Sequence, residues 1–262
     1  MTTTQTNAPV QISRDAHVAI VEICKPPHNF FDPEMLQALA AAFEEVDNDP
    51  DYRSIVLCAQ GTSFCAGADF SKREVRPAHD SPRRVNPIYD EALRMFACAK
   101  PVVAAIQGAA IGGGLGLALV GDFRVTCAEA RFSANFNRLG FHPGFGLSVT
   151  LPRLIGMQKA ALMFYTGRRV GGEEALAMGM ADLLVERDAV RAEAIKLARD
   201  IAVSAPLAVQ STRATLRRGL VEAIRAAVAH ESIEQNRQFK SEDFKEGVAA
   251  MAARREPAFK GR

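Results

Sequence analysis

Apolar positions fall into short β-branched runs in the first half of the chain and into helix-spaced stripes in the second. Residues 17–24 (HVAIVEIC) predict a strand. Asp32-Pro33-Glu34 supplies a side-chain cap and a proline at the first helical position, which predicts a helix through Phe43 to about Asp47. Residues 54–59 (SIVLCA) are apolar throughout, as in a strand covered on both faces. A loop with Gly61, Gly67 and Ala68 follows, and the charged, proline-bearing stretch 73–86 predicts a mobile surface segment. Residues 89–99 read as helix, 102–107 as strand, 112–119 as helix and 123–127 as strand. Strands alternating with helices imply βαβ crossovers and a mainly parallel sheet. After Leu147 helical stretches dominate: 148–155, 159–166, 172–178, 189–203, 206–220 and 224–238. The expected organisation is an α/β core over residues 1–200 and a helical C-terminal region over 201–262.

Charge narrows the partners. Lys plus Arg is 32 against 30 Asp plus Glu, a net +2 that argues against a general polyanion binder. Cys24, Cys58, Cys65, Cys98 and Cys127 are odd in number and form no CxxC, so they read as reduced thiols in a cytoplasmic compartment. Residues 1–11 have neither the basic start nor the apolar run of a signal peptide and read as a frayed tail. The apolar span 101–121 holds Gln107 and the glycine cluster Gly112, Gly113, Gly114 and Gly116, so strand, turn and buried helix explain it better than a bilayer crossing.

The common phosphate loops fail, because Leu117 stands where a third dinucleotide-loop glycine belongs. No GxSxG elbow or HExxH is present, and His17, His28, His79, His142 and His230 show no metal spacing. Two loops remain: residues 63–70 (SFCAGADF) after a strand, and 107–114 (QGAAIGGG) between a strand and a helix. Small residues in both leave main-chain N–H groups open to a ligand, and those of the second also lie at a helix N-terminus. Two converging N–H groups make an oxyanion hole for an enolate or tetrahedral intermediate.

Taken together, Phe64-Cys65-Ala66-Gly67-Ala68-Asp69, Lys100-Pro101, Ala104-Ala105-Ile106-Gln107-Gly108, Gly112-Gly113-Gly114, Gly121-Asp122-Phe123-Arg124 and Ala130-Arg131-Phe132 resemble the crotonase superfamily, the enoyl-CoA hydratase/isomerase family. The likeness continues through Leu151-Pro152-Arg153, Thr166-Gly167-Arg168 and Ala175-Leu176-Ala177-Met178-Gly179-Met180 to the ending at 241–247 and 255–261. It implies an α/β fold, a crotonase-like spiral of ββα units with a helical C-terminal region, assembled as trimers or hexamers and acting on acyl-CoA thioesters. By resemblance the oxyanion hole is the N–H of Ala68 and of Gly113. Gly112, Ala66, Asp69 and Phe70 line the substrate path. Lys25 to Asn29 lie beside the nucleotide end. The stripe Phe239, Phe244, Phe259 and Lys260 reaches an adjacent subunit's adenine pocket, unless the phenylalanines serve helix packing. No metal or redox cofactor, nucleic acid or membrane is implied, since CoA enters as part of the substrate.

One departure bears on the reaction. The two glutamates that handle water in the family's hydratases fall at Gly116 and Phe136. Neither residue transfers a proton, and each positioned acid or base typically contributes about 10²–10⁴-fold. His142, in the loop 140–146, is the nearest replacement along the chain, with an ordinary pKa of about 6.5 suited to proton transfer. Asn137 reads as structural, and Asp122 and Arg124 as a structural pair. Lys72, Arg73, Arg76, Arg83 and Arg84 are candidates for the CoA phosphates. The expectation is an acyl-CoA enzyme that is a poor hydratase and depends on His142. The alternatives are a β-diketone or C–C bond hydrolase of the same fold and a catalytically silent acyl-CoA binder.

Overall fold

The computed structural model describes residues 8–69 and 86–262. Strands β1 (Val10–Asp15), β2 (Val18–Ile23), β3 (Ser54–Ala59) and β4 (Val102–Ile106) alternate with helices α1 (Pro33–Asn48) and α2 (Pro87–Ala97). Then come β5 (Ala109–Ile111), α3 (Gly113–Ala118), β6 (Phe123–Thr126), β7 (Arg131–Ser133) and a 3₁₀ turn over Asn135–Leu139. The remainder is helical but for two short strands: α4 (Leu147–Ile155), α5 (Met157–Thr166), β8 (Val170–Gly171), α6 (Gly172–Ala177), β9 (Leu183–Leu184), α7 (Val190–Ala202), α8 (Pro206–Leu216), α9 (Leu220–Gln238) and α10 (Glu242–Ala252).

The main sheet runs β1-β2-β3-β4-β6-β9, and a second sheet runs β5-β7-β8. Only the β1–β2 pair of the main sheet is antiparallel; β2, β3, β4, β6 and β9 are parallel, with Val18 beside Ser54 and Ile55 beside Val102. The run read as a covered strand is so: β3 is buried at all but its last position, β4 beside it is buried throughout, and α7 lies across β2, β3, β4 and β6. Buried Ala194, Ala198 and Ala202 put small side chains on the face of α7 that meets the sheet, and Ser54 Oγ donates to Ala198 O at 2.9 Å.

Charged groups clip the helices to this core. Asp32 caps α1, its carboxylate accepting from Met35 N at 2.9 Å, and the buried Lys100 ammonium donates to the Val46 carbonyl at the other end. Asp122 accepts from Val102 N, Arg213 Nε and Arg217 Nη1, all at 2.8 Å, and so ties α8 to β4. Asp122 and Arg124 are structural as expected, but their partners differ. Arg124 pairs with the Asp182 carboxylate at 3.0 Å and reaches only the main-chain oxygen of Asp122.

Some elements depart from expectation. β1 begins at Val10, inside the stretch read as a frayed tail; it is an edge strand whose polar face meets solvent. The helix expected over 206–220 ends at Leu216, and Gly219, at φ +75°, starts α9 four residues before the predicted point. β5, β7, β8 and β9 have two or three residues each, too few to show a period. The expected mobile segment lies, apart from Asn86, outside the described residues. Asn86 caps α2.

The two glycine loops are stitched to each other. Cys65 N donates to Ala109 O at 2.9 Å and Ile111 N to Cys65 O at 3.0 Å, a single parallel bridge between the loop after β3 and β5. A Cβ at Gly114 would stand 2.0 Å from the Cys65 carbonyl oxygen, and one at Gly108 1.9 Å from that of Thr62. Both colliding atoms are backbone, so neither can turn away. Gly114→Ala is therefore expected to lower stability by about 1–3 kcal/mol or more, read as a fall in the midpoint of thermal unfolding. An unchanged midpoint would show that the loops separate freely.

Candidate active site

A cavity of about 500 Å³ opens where these loops meet. Gly67, at φ +81°, and Gly112, at φ +57°, take backbone conformations that a side chain disfavours. A Cβ at Gly67 would lie 3.6 Å from the Gly113 nitrogen, so the two turns nearly touch. Around them, Phe31 N donates to Gly67 O and Ala66 N to His28 O, both at 3.0 Å. Buried Asn29 donates through Nδ2 to the Gln60 and Ser63 carbonyls at 2.8 Å, which fastens the loop after β2 to the one after β3. Ala68 and Gly113 both line the cavity, and among the described residues neither main-chain N–H has a hydrogen-bond partner. Gly113 is also the first residue of α3. Two open amides, one of them at a helix start, are suited to hold a negative oxygen.

Aromatic side chains occupy the space beyond the amides. A Cβ at Gly116 would lie 2.7 Å from the Cβ and the ring of Phe145, so Phe145 fills the room a longer side chain at 116 would need. Phe145 itself sits at φ +64°, a conformation that costs a non-glycine residue on the order of 1–2 kcal/mol. Phe136 lines the cavity, 7% exposed, its ring edge-on to Phe141 at 5.4 Å.

Helix α9 holds Phe145 in that conformation. Buried Glu231 accepts from Gly146 N (2.9 Å), Ser148 N (3.1 Å) and Ser148 Oγ (2.6 Å), taking up orphan donors at the start of α4. Burial pushes its carboxyl above the usual range, against the pull of those donors. One turn on, Gln235 Nε2 donates to His142 O at 2.9 Å while its Oε1 accepts from Tyr89 Oη at 2.7 Å; Gln238 Oε1 accepts from His142 N.

The structure brings together Ala66, Ala68, Asp69, Gly112, Gly113 and Phe136 in the lining of one cavity. It places others elsewhere. His142 is not in the lining: Nδ1 bonds its neighbour's carbonyl, Pro143 O, at 2.8 Å, and the ring stands edge-on to His230 at 5.7 Å. Nearness along the chain misled because the main chain turns its next residues inward instead, Gly144 and Phe145. Lys25 is paired with Asp32 and does not line the cavity, although His28 of the same loop does. Phe259 is 40% exposed, and the N–H groups of Lys260 and Gly261 are held by the Asp243 carboxylate. Phe239, by contrast, lines the cavity of its own chain, and Phe244 packs on it. Asn137 donates to Tyr165 O, away from the cavity. Phe70, Lys72, Arg73, Arg76, Arg83 and Arg84 lie outside the described residues. Sequence reasoning missed Tyr89, Gln235 and Phe145 as lining residues. Only the glycines flanking Phe145 gave a hint.

Among the described lining residues the titratable side chains are His28, Asp69 and Tyr89. Cys65, behind the first loop, is pushed up to about 12 by burial, as are Cys58 and Cys98, so all three remain thiols. Among the described residues no cluster of metal-ligating side chains occurs, and no helix is long and apolar enough to cross a membrane.

An α/β fold with two sheets that presents paired open amides over an apolar cavity defines a crotonase-fold protein. The chain belongs to the enoyl-CoA hydratase/isomerase family, whose sequence model matches residues 13–262. It is similar to a probable enoyl-CoA hydratase of Mycobacterium tuberculosis, 38% identical over 80% of this chain and 81% of the relative. It is 34% identical to the (E)-benzylidenesuccinyl-CoA hydratase of Thauera aromatica, over 97% and 99% of the two chains. Among solved structures, an enoyl-CoA hydratase/isomerase of Pseudoalteromonas atlantica superposes with a TM-score of 0.87 at 30% identity, covering 96% of this chain and all of that one. The protein is accordingly an acyl-CoA-processing enzyme of that family.

The α9 contacts give a first prediction. Glu231→Ala leaves three donors at the start of α4 without their acceptor, and each costs about 1–3 kcal/mol if it stays dry. The midpoint of thermal unfolding is expected to fall by several degrees, while an unchanged midpoint would mean that water takes the place of Glu231. His142→Ala removes only the Pro143 bond and the His230 contact, so affinity for CoA esters measured by calorimetry should stay within about threefold. A larger loss would return His142 to the site.

Proposed function

We propose that the protein binds CoA thioesters and stabilises the enolate or oxyanion formed from them, with the thioester oxygen between the N–H groups of Ala68 and Gly113. The observation that carries this reading is the pair of open amides in one apolar cavity. Loss of one such donor typically costs about 10²–10³-fold in rate, so the pair represents several kcal/mol of stabilisation. No metal or redox cofactor is called for.

Within the reading, glutamate-driven hydration is not the reaction. It needs one group to take a proton from water and another to deliver one to the α-carbon. At 116 stands a glycine covered by Phe145, and at 136 a phenylalanine. Proton transfer falls instead to the polar groups of the lining, of which Asp69 follows Ala68 directly.

Calorimetry with CoA, acetyl-CoA and crotonyl-CoA tests the binding half. Measurable affinity for all three is expected, and none for any would overturn it. For the chemical half, crotonyl-CoA is expected to be hydrated at least about 10⁴-fold more slowly than by a glutamate-bearing hydratase. Gly116→Glu should not restore the rate, because its Cβ meets Phe145. Rapid hydration by the wild-type protein would overturn this half.

We also propose a homo-oligomeric assembly in the cytoplasm. In support, Met157, Leu162 and Tyr165 on α5, and Leu207 and Leu216 on α8, expose large apolar surface. A monomeric mass by light scattering at micromolar concentration would contradict it.

A further inference from the structure

We infer that a second cavity, floored by one face of the β5-β7-β8 sheet, binds a compact multivalent phosphate anion between Arg131, Arg169 and Arg254.

The floor follows from strand register. Side chains alternate across a strand, so Ala109 and Ile111 of β5 share a face with their ladder partners on β7, Arg131 and Ser133. Arg131 stands opposite Gly171 of β8, which offers no side chain. Arg169, two residues before Gly171, is the diagonal neighbour of Arg131 on that face. These side chains line a cavity of about 970 Å³, while Ala110, Phe132 and Val170 are buried on the other face. Ser133 Oγ donates to the carbonyls of Gly167 (3.1 Å) and Arg168 (3.0 Å), which pins the turn that delivers Arg169.

The facing wall is the end of α10 and the chain beyond it. Arg255 N donates to Ala250 O at 3.0 Å and Arg254 N to Met251 O at 3.1 Å, so the main chain completes the helix cap. Arg254 takes the left-handed place in that cap, at φ +53°, where glycine is favoured. Its guanidinium is not used by the cap.

Charge identifies the guest. Five arginines line the cavity against one carboxylate, Glu256. Glu256 is taken by Arg138 at 2.6 Å, and Arg255 is spent on both oxygens of Glu246, at 2.6 and 2.8 Å. Among the described residues Arg131, Arg169 and Arg254 form no ion pair, and Arg131 gives only Nη1 to the carbonyls of Glu129 and Ala130. Like charges on neighbouring strands repel, and an anion between them reverses the sign. Three guanidinium forks on three separate segments suit a guest with oxygens in several directions, a phosphate or diphosphate. A lone carboxylate is too small to meet all three, and an extended acidic peptide calls for cations in a row.

The guest is distinct from the phosphates of a thioester held at Ala68 and Gly113. Ile111 and Asn135 line both cavities; Ile111 directly precedes Gly112, and Asn135 Oδ1 lies 3.6 Å from a Cβ placed there. The second cavity thus begins behind the turn that carries the amides. The phosphates of a CoA ester are a whole pantetheine arm away from its thioester.

The test is calorimetric titration of the full chain with inorganic pyrophosphate, orthophosphate and acetate, repeated in excess CoA and in excess crotonyl-CoA. Pyrophosphate is expected to bind once per chain, about tenfold or more tighter than orthophosphate, more weakly as salt rises, and acetate not at all. Arg169→Gln and Arg254→Gly should each weaken pyrophosphate about tenfold or more. Arg254→Gly should do so while unfolding at no lower temperature than wild type, because glycine suits the left-handed position. Arg153→Gln, on α4 and outside the lining, should leave binding within about twofold. Excess CoA or crotonyl-CoA should change it by less than about threefold. No binding in the millimolar range, or binding that survives both substitutions, would overturn the inference. So would displacement by either CoA compound, which would make the arginines part of a CoA site. If pyrophosphate binds and no CoA compound does, the thioester reading falls and this site stands.

Discussion

The site depends on one parallel bridge, the two hydrogen bonds by which Cys65 straddles Ala110. Each bond is a modest net stabiliser, about 1 kcal/mol. Their importance is positional. They bring the turn at Gly67 against the turn at Gly112 and leave the next amide of each, Ala68 and Gly113, facing a shared space. Backbone donors held this way need no reorganisation when charge develops on a bound oxygen. The arrangement tolerates no side chain at Gly108 or Gly114, because the opposing atoms are carbonyl oxygens.

The space beyond the amides is shaped by aromatic rings that need support. Phe145 is at once buried and in a left-handed conformation. Burying its side chain returns about 1.5–3 kcal/mol, enough to offset that backbone cost. The rest of the support is polar: Glu231, Gln235 and Gln238 lie on one face of α9 and hold the loop before α4. The raised carboxyl of Glu231 shows what this costs, a charge drawn from water to organise peptide groups.

Much of this was legible in the sequence. Apolar runs located β2, β3, β4 and β6, Asp32-Pro33 located the start of α1, and small residues marked both loops that carry the amides. What failed has physical causes. Two- and three-residue strands have no period to read. An edge strand such as β1 shows only half a pattern. His142 was favoured because it was the titratable group nearest along the chain, yet a tight loop reverses direction within a residue or two. Its carbonyl and N–H are held by Gln235 and Gln238, while its imidazole bonds the Pro143 carbonyl. Tyr89 and Gln235 lie 146 residues apart, and no local signal marks a pair made only by α2 meeting α9.

The rings that line the cavity also set the strength of what binds in it. An N–H···O⁻ contact competes poorly with solvent when exposed and strongly when dry, because the effective dielectric falls. Phe31 lies against Gly113 and Phe136 beside Gly112. The amides on which the proposed chemistry rests are therefore flanked by rings, with the Asn135 side-chain amide the polar neighbour on the Gly112 side. On the proposed reading, the phenylalanines that displace proton carriers from the neighbourhood of 116 and 136 strengthen oxyanion binding. Such a site favours reactions in which the thioester is held as its enolate and a proton is moved within the substrate. It disfavours those that must admit and activate a water molecule.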